Sequence, residues 1–439
     1  MRDAFVFKKS TQKSVSILPV LSKQFEKWIA KQPSHIKQWV STAQFVADSG
    51  AFCFIPNEKG VLQTILIGMG NEDDFLAMGA LASRLPEGEY CIEKNEVIKT
   101  AQQLQLAALG WGLGFYQFTR YKKPATRLAK LVLDKSIDVE LLMNTLESIY
   151  LARDLINTPA EDMGPEQLED AVKAVAKKQS AKLTVIKGDA LLKENYPAIH
   201  MVGRASHRAP RMIDLRWGKN KKAPRITLVG KGVCFDSGGL DLKTAAGMLL
   251  MKKDMAGAAM MLALAQLIMQ QKMDVQLRLL IGAVDNAVSA SSYRPGDIVK
   301  TRSAKTIEIT NTDAEGRMVL CDLLFEACSE SPDVIIDFAT LTGAARVALG
   351  EDLPAMYAQP QSLADDLLKA SRKINDPIWQ MPLVQSYRDR LKSEIADMVN
   401  AVESSPYGGS ITAALFLQSF VNEDTHWVHF DTPAWNSRL

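Results

Sequence analysis

Three stretches of the chain hold the residues best suited to chemistry. KGVCFDSGGLDLK, from Lys231 to Lys243, is charged and glycine-rich. Asp254 stands at the head of an apolar run. NTDAEGR, from Asn311 to Arg317, carries a polar or charged side chain at every second position, and alternate side chains share a face in extended backbone. Four carboxylates, Asp236, Asp254, Asp313 and Glu315, gathered at one sheet edge would repel each other unless positive charge stood among them. Two divalent cations offset those charges, and bridging carboxylates hold such ions about 3.5–4 Å apart in two-metal hydrolases. Lys231 can join them as an unusual neutral amine ligand, since a metal can displace its proton. Taken alone, Asp254 reads as a simple helix cap stabilised by the helix dipole.

Other chemistries fit less well. No GxGxxG or GxxxxGK[ST] is completed around Lys231, so a phosphate cradle is weakly supported. The five histidines, His35, His200, His207, His426 and His429, all lie outside these stretches, which argues against a histidine-rich zinc site. Oxygen-dominated ligation admits Mn²⁺, Zn²⁺ or Mg²⁺.

The elements that must position these groups alternate along the second part of the chain. Strands are predicted at Lys182 to Ile186, Arg225 to Gly230, Gln276 to Val284, Thr306 to Ile309, Val334 to Phe338 and Trp427 to Asp431, with helices at Met255 to Gln271 and Arg317 to Ser329. Interleaving of this kind predicts an α/β domain with a central, mostly parallel sheet flanked by helices, whose ligands collect at the carboxyl ends of the strands. Residues 1 to about 100 read as a smaller α/β domain without a catalytic constellation. Helices are predicted at Ala101 to Tyr121 and Ile137 to Leu155, with a linker at Arg120 to Arg127. The boundary is set near Lys135, giving an N-terminal domain of residues 1–135 and a catalytic domain of residues 136–439.

Composition bounds the reading. A 439-residue chain with 47% hydrophobic and 23% charged residues can bury large cores and is unlike a disordered or low-complexity chain. The net charge of +2 recruits neither nucleic acid nor an anionic membrane by itself. Local basic stretches do occur in residues 1–50, including Lys8, Lys9 and Lys13, and in residues 120–135. Five cysteines without a CxxC pair read as reduced thiols in a cytoplasmic protein. The apolar stretch Ser14 to Leu21 is short, contains Pro19 and is not read as a signal peptide. The greasy run Ala256 to Met269 is too short for a membrane span and reads as a buried helix.

VGKGVCFDSGG, MKKDMAGAA and NTDAEGR, in this order, resemble the leucyl aminopeptidase family, the M17 cytosol aminopeptidases. LGWGLGFYQFTRYKK, LARDLINTPAEDMGPEQL, ATLTGAARVALG and GGSITAALFLQSFV extend the resemblance from about residue 105 to the end. It implies a dinuclear metal-dependent aminopeptidase that releases N-terminal residues, leucine-like ones preferred, from peptides with a free amino terminus. The implied ligands are Lys231, Asp236, Asp254, Asp313 and Glu315, with Asp236 and Glu315 bridging both ions. Lys243 falls on the catalytic lysine, which would stabilise the developing oxyanion. Arg317 falls on the arginine that would hold a bicarbonate as general base. Met251, Thr340 and Gly343 fall on the lining of the side-chain pocket.

A homohexamer in the cytoplasm is implied as well. Some positions depart from the family pattern. The glycine after the Asp-Met pair is Ala256 here, and Thr432-Pro433-Ala434-Trp435 replaces an Ile-Ala-Gly wall of the pocket. The chain also ends at Leu439, earlier than most members of the family, so a final helix of the family pattern is expected to be missing. Asp241, Asp322 and His429 are read as structural. The alternative from another class is a DNA-binding hexamer of the same family with peptidase activity secondary or lost, using the two basic stretches.

Overall fold

The computed structural model describes residues 1–7, 14–71, 74–402 and 407–437, so Lys8, Lys9, Lys13 and Leu439 lie outside the described residues. The chain forms two compact units, Met1–Tyr150 and Leu151–Leu439. The division falls within the helix Val139–Asn157. The physical reason is the helix's apolar stripe: Leu142, Met143 and Leu146 belong to the core of the first unit, and Ala152, Leu155 and Ile156 to that of the second.

In the first unit a six-stranded sheet runs in the spatial order Phe5–Val6, Ala129–Val132, Gly88–Ile92, Val15–Val20, Leu62–Gly68, Phe52–Pro56. The helix Ala101–Phe115 starts at a capping box, in which Thr100 accepts from the Gln103 amide at 3.2 Å. It tolerates Gly110 and Gly114 because another backbone crosses it closely, and Gly112 because the Leu146 side chain packs against it. A Cβ at Gly114 would fall 2.0 Å from the Gly79 carbonyl oxygen. That helix ends before the predicted Tyr121, at Tyr116, where the backbone turns extended.

The second unit is built on eight strands in the order Trp379–Gln380, Ala355–Gln359, Trp427–Asp431, Val334–Ala339, Arg225–Asp236, Gln276–Asn286, Arg211–Trp217, Lys182–Lys187. The four central strands, Trp427–Asp431 to Gln276–Asn286, are mutually parallel, and antiparallel pairings flank them. Successive residues point to opposite faces, and both faces are covered. Val229, Val233, Leu280 and Val284 pack with Val319, Leu320 and Leu323 of the helix Glu315–Cys328. Leu228, Leu279, Ile281 and Ala283 pack with Ala258, Ala259 and Leu262 of the helix Ala256–Gln270. No helix of the described residues is long and apolar enough to cross a membrane.

Two local expectations are corrected. The strand predicted to end at Gly230 continues to Asp236, because its backbone keeps pairing with Gln276–Asn286 as far as Asp236 opposite Asn286. Lys231 therefore sits inside a strand and not in a loop. NTDAEGR is not extended throughout: Asp313 lies in a turn, and Glu315 and Arg317 are already helical. The Asn311 side chain accepts from the Asp313 amide at 2.7 Å and closes that turn, which ends the alternation of faces.

Candidate metal centre

Asp236, at the carboxyl end of the strand Arg225–Asp236, and Thr340 and Thr432, which directly follow Val334–Ala339 and Trp427–Asp431, line a cavity of about 370 Å³. Lys231, Asp236, Lys243, Asp254, Asp313 and Glu315 all line it. Carboxylate oxygens of Asp236, Asp313 and Glu315 lie within 4.8 Å of one another, the spacing of groups that share an ion. Asp254 stands beside this trio, on the short 3₁₀ turn Met251–Met255, and is joined to it through Lys231.

The Lys231 ammonium donates to Asp254 at 2.9 Å and to the Thr340 carbonyl at 2.9 Å, and lies 2.8 Å from Glu315. Space for it depends on Gly316, where a Cβ would fall 2.8 Å from Lys231 Nζ. Gly257 is constrained more severely, since a Cβ there would meet the Phe338 carbonyl oxygen at 2.0 Å. Ala256, the departure noted in the sequence, is fully buried without such a requirement. Asp236 accepts from the Gly238 amide at 2.8 Å and from Asn286 Nδ2 at 2.9 Å, while its second oxygen lies 2.8 Å from Lys243 Nζ. Lys243 also contacts Asp313 directly.

Electrostatics make this a strained proton store. Burial, reinforced by Asp236, pushes the Asp313 carboxyl up to about 7 and the Glu315 carboxyl up to about 8, and burial raises Asp254 too. Burial opposes the Lys231 charge, yet Asp254, Glu315 and Asp236 hold it above the ordinary lysine value. Lys243 is held up in the same way, chiefly by Asp236. Four carboxylates against two ammonium groups leave a negative excess that a protein interior does not sustain without protons or cations. The second oxygen of Asp254 is buried without a hydrogen-bond partner. An orphaned buried carboxylate oxygen beside a carboxylate trio is the donor set expected for hard or borderline divalent ions.

The remaining predicted residues divide. Met251, Thr340 and Gly343 line the same cavity, and Thr340 Oγ1 donates to Asp254 at 2.6 Å. Arg317 is buried on the helix Glu315–Cys328, its Nη1 donating to the Asn400 carbonyl at 2.6 Å, and it is not among the residues lining the cavity. Asp241 accepts from the Thr312 amide at 2.7 Å and so ties the Lys243 loop to the Asp313 turn. Asp322 accepts from the Ala198 and Arg302 amides, and buried His429 pairs with Asp337 at 2.5 Å.

Sequence reasoning passed over several contributors. Asn286 bridges Asp236 and the Thr312 carbonyl. Asp431 accepts from the Leu341 and Thr342 amides and holds the loop that carries Thr340. Lys253 and Arg346 line the cavity as additional cations. The doubled lysine directly before Asp254 was the available signal for Lys253.

Comparison with known proteins gives concordant matches. Residues 150–438 match the catalytic domain of the cytosol aminopeptidase family, and residues 15–134 match the M17 aminopeptidase N-terminal domain. A probable cytosol aminopeptidase of Chlamydia abortus is 37% identical over 421 residues, covering 89% of this chain and 84% of the relative. The crystal structure of a cytosol aminopeptidase from Coxiella burnetii superposes with a TM-score of 0.93 at 50% identity, covering 99% of this chain and 94% of that one. The bottromycin maturation enzyme BotP in complex with Mn superposes with a TM-score of 0.86 at 29% identity, covering 97% and 94%.

Proposed function

The chain belongs to the cytosol aminopeptidase family and is a metal-dependent aminopeptidase, and from that premise we propose that it uses two divalent ions per chain to release leucine-like residues from peptides with a free amino terminus. The convergence of Asp236, Asp313 and Glu315 within 4.8 Å, flanked by Lys231 and Lys243, carries this reading. Lys231, Asp236, Asp254, Asp313 and Glu315 would hold the ions, with Asp236 and Glu315 shared between them. When bound, Mn²⁺, Zn²⁺ or Mg²⁺ supplies Lewis acidity and the charge that lets all four carboxylates ionise.

The chain's own groups then have defined tasks. Lys231 would hold an ion through its neutral amine, its proton passing to solvent once the charge of the ions offsets its partners Asp254 and Glu315. Lys243, released from its pairing with Asp236 and Asp313, is free to donate to the scissile carbonyl oxygen as negative charge develops there. Asn286 and the Gly238 amide hold Asp236 in place throughout. The array reads the free α-amino group, which a blocked terminus cannot present, so cleavage stops at the first residue. Met251, Thr340 and Gly343 provide room for a leucine-sized side chain.

To Arg317 we assign a bicarbonate that supplies a general base, an assignment supported by the bidentate fork of the guanidinium. A homohexamer acting in the cytoplasm completes the proposal. The test is release of amino acids from a panel of α-amides by metal-stripped protein reloaded with Mn²⁺, Zn²⁺ or Mg²⁺, run beside N-acetylated peptides. Release restored by a divalent ion, and absent for the acetylated peptides, supports the reading. Efficient cleavage of the acetylated peptides contradicts it.

A further inference from the structure

The cavity has a second electrostatic character, opposite to that of the carboxylate array. Lys253 lines it, is only 6% exposed, and donates to the carbonyl of Pro433, which also lines it. An ammonium has three donors, and burying one with a single carbonyl partner leaves it without a contact ion pair, Asp254 and Glu351 acting on its charge only through space. Among the described residues no carboxylate lies within ion-pair distance of Lys253. Its neighbour Asp254 is turned toward Lys231 and Thr340 instead. Arg346, exposed on the helix Gly343–Leu349, adds a second cation to the same lining and forms no ion pair among the described residues. Glu351, the acid nearest in sequence, accepts from the Ser437 amide at 2.9 Å and hydroxyl at 2.7 Å.

The position of Lys253 indicates what anion it awaits. It shares the turn Met251–Met255 with Met251, and both residues line the cavity, so its charge belongs to the wall taken to receive the first side chain of the substrate. Its partner Pro433 belongs to the Thr432-Pro433-Ala434-Trp435 segment that departs from the family pattern. The C-terminal carboxylate of a peptide lies at a distance that changes with peptide length, which one fixed wall residue cannot read. A side-chain carboxylate is always in the same place, and glutamate carries it one atom beyond the reach of leucine, toward the wall that holds Lys253.

We propose that this aminopeptidase selects peptides whose first residue is acidic, glutamate foremost, with Lys253 binding the side-chain carboxylate and Arg346 drawing it in from the cavity mouth. This rests on the metal-dependent aminopeptidase reading and replaces its leucine-like preference with an acidic one. The α-amides of glutamate, glutamine and leucine test it on the metal-loaded enzyme, because amides remove the C-terminal carboxylate and glutamine keeps the shape without the charge. The expected result is a kcat/KM for glutamate above that for both others. Lys253→Met is expected to lower the glutamate-to-leucine ratio by roughly 10- to 100-fold, the effect of losing one hydrogen bond to a charged group, while Lys253→Arg keeps glutamate first.

Calorimetric binding of free L-glutamate and L-leucine to the loaded enzyme gives a second readout, with glutamate the tighter. Cleavage of the leucine amide with little of the glutamate amide overturns the inference and leaves the aminopeptidase reading intact. Equal losses on both substrates in Lys253→Met overturn it too, assigning Lys253 to support of the Pro433 wall. Release from none of the amides removes the underlying reading, and this inference with it.

Discussion

Lys231 Nζ lies 2.8 Å from the Glu315 carboxylate, both side chains at most 3% exposed, in the interior where the central strand meets the helix Glu315–Cys328. An ammonium so placed must lose its proton before it can bind a metal, and the pair therefore couples metal binding to proton release.

Metal uptake at pH 7 is accordingly expected to release protons. Glu315, pushed up to about 8, and Lys231, held above the ordinary lysine value, are protonated before metal enters. Calorimetry in buffers of different ionisation enthalpy measures the number released, and affinity should rise with pH. Uptake without proton release would contradict this description of the array.

The metal-stripped protein should lose stability as pH rises. Asp313 and Glu315 have folded values raised to about 7 and about 8, so below pH 4 they add their full stabilisation and between about pH 5 and 8 the folded state progressively surrenders it. Thermal melts with chelator present should show Tm falling across that window. Added divalent metal should flatten the decline, because ionised carboxylates then have cations to face.

Lys243→Ala should reduce kcat by roughly 10²–10³-fold with metals and fold retained, as for removal of an oxyanion donor. Steady-state kinetics with metal analysis checks this. Unchanged turnover would take Lys243 out of the mechanism.

Asp254→Ala should cost the protein at least one of its ions. Its carboxylate has one oxygen bonded to Lys231 and Thr340 and the other buried without a partner. Elemental analysis after dialysis reads the stoichiometry, and two ions retained per chain would refute the assignment.

Gly257→Ala should destabilise the second unit by at least about 1–3 kcal/mol, since the added Cβ meets backbone at Phe338, 2.0 Å away, and backbone cannot swing aside. Denaturant unfolding measures this. Full stability would mean that the helix Ala256–Gln270 sits farther from the strand Val334–Ala339.

The alternating strands and helices of the second unit were legible because Leu228, Val229, Leu279 and Leu280 are apolar on both faces, which only a covered sheet explains. The gathering of Asp236, Asp313 and Glu315 was legible because they sit in short polar stretches flanked by such elements. Lys231 within a strand was not. A glycine-rich run looks like a loop until its pairing with Gln276–Asn286 is known, and pairing is not local information. The turn at Asp313 depends on one side-chain bond from Asn311, and the even spacing of charges concealed it. The antiparallel flanks of the sheet, and the roles of Asn286 and Asp431, arise from contacts between distant segments that no local pattern announces.

Anomalous diffraction from crystals of the Mn²⁺-loaded protein tests the central claim most directly. Two peaks among Lys231, Asp236, Asp254, Asp313 and Glu315, with Asp236 and Glu315 touching both, is the predicted result. No peak there, or a single ion bound elsewhere while peptidase activity persists, would contradict the account.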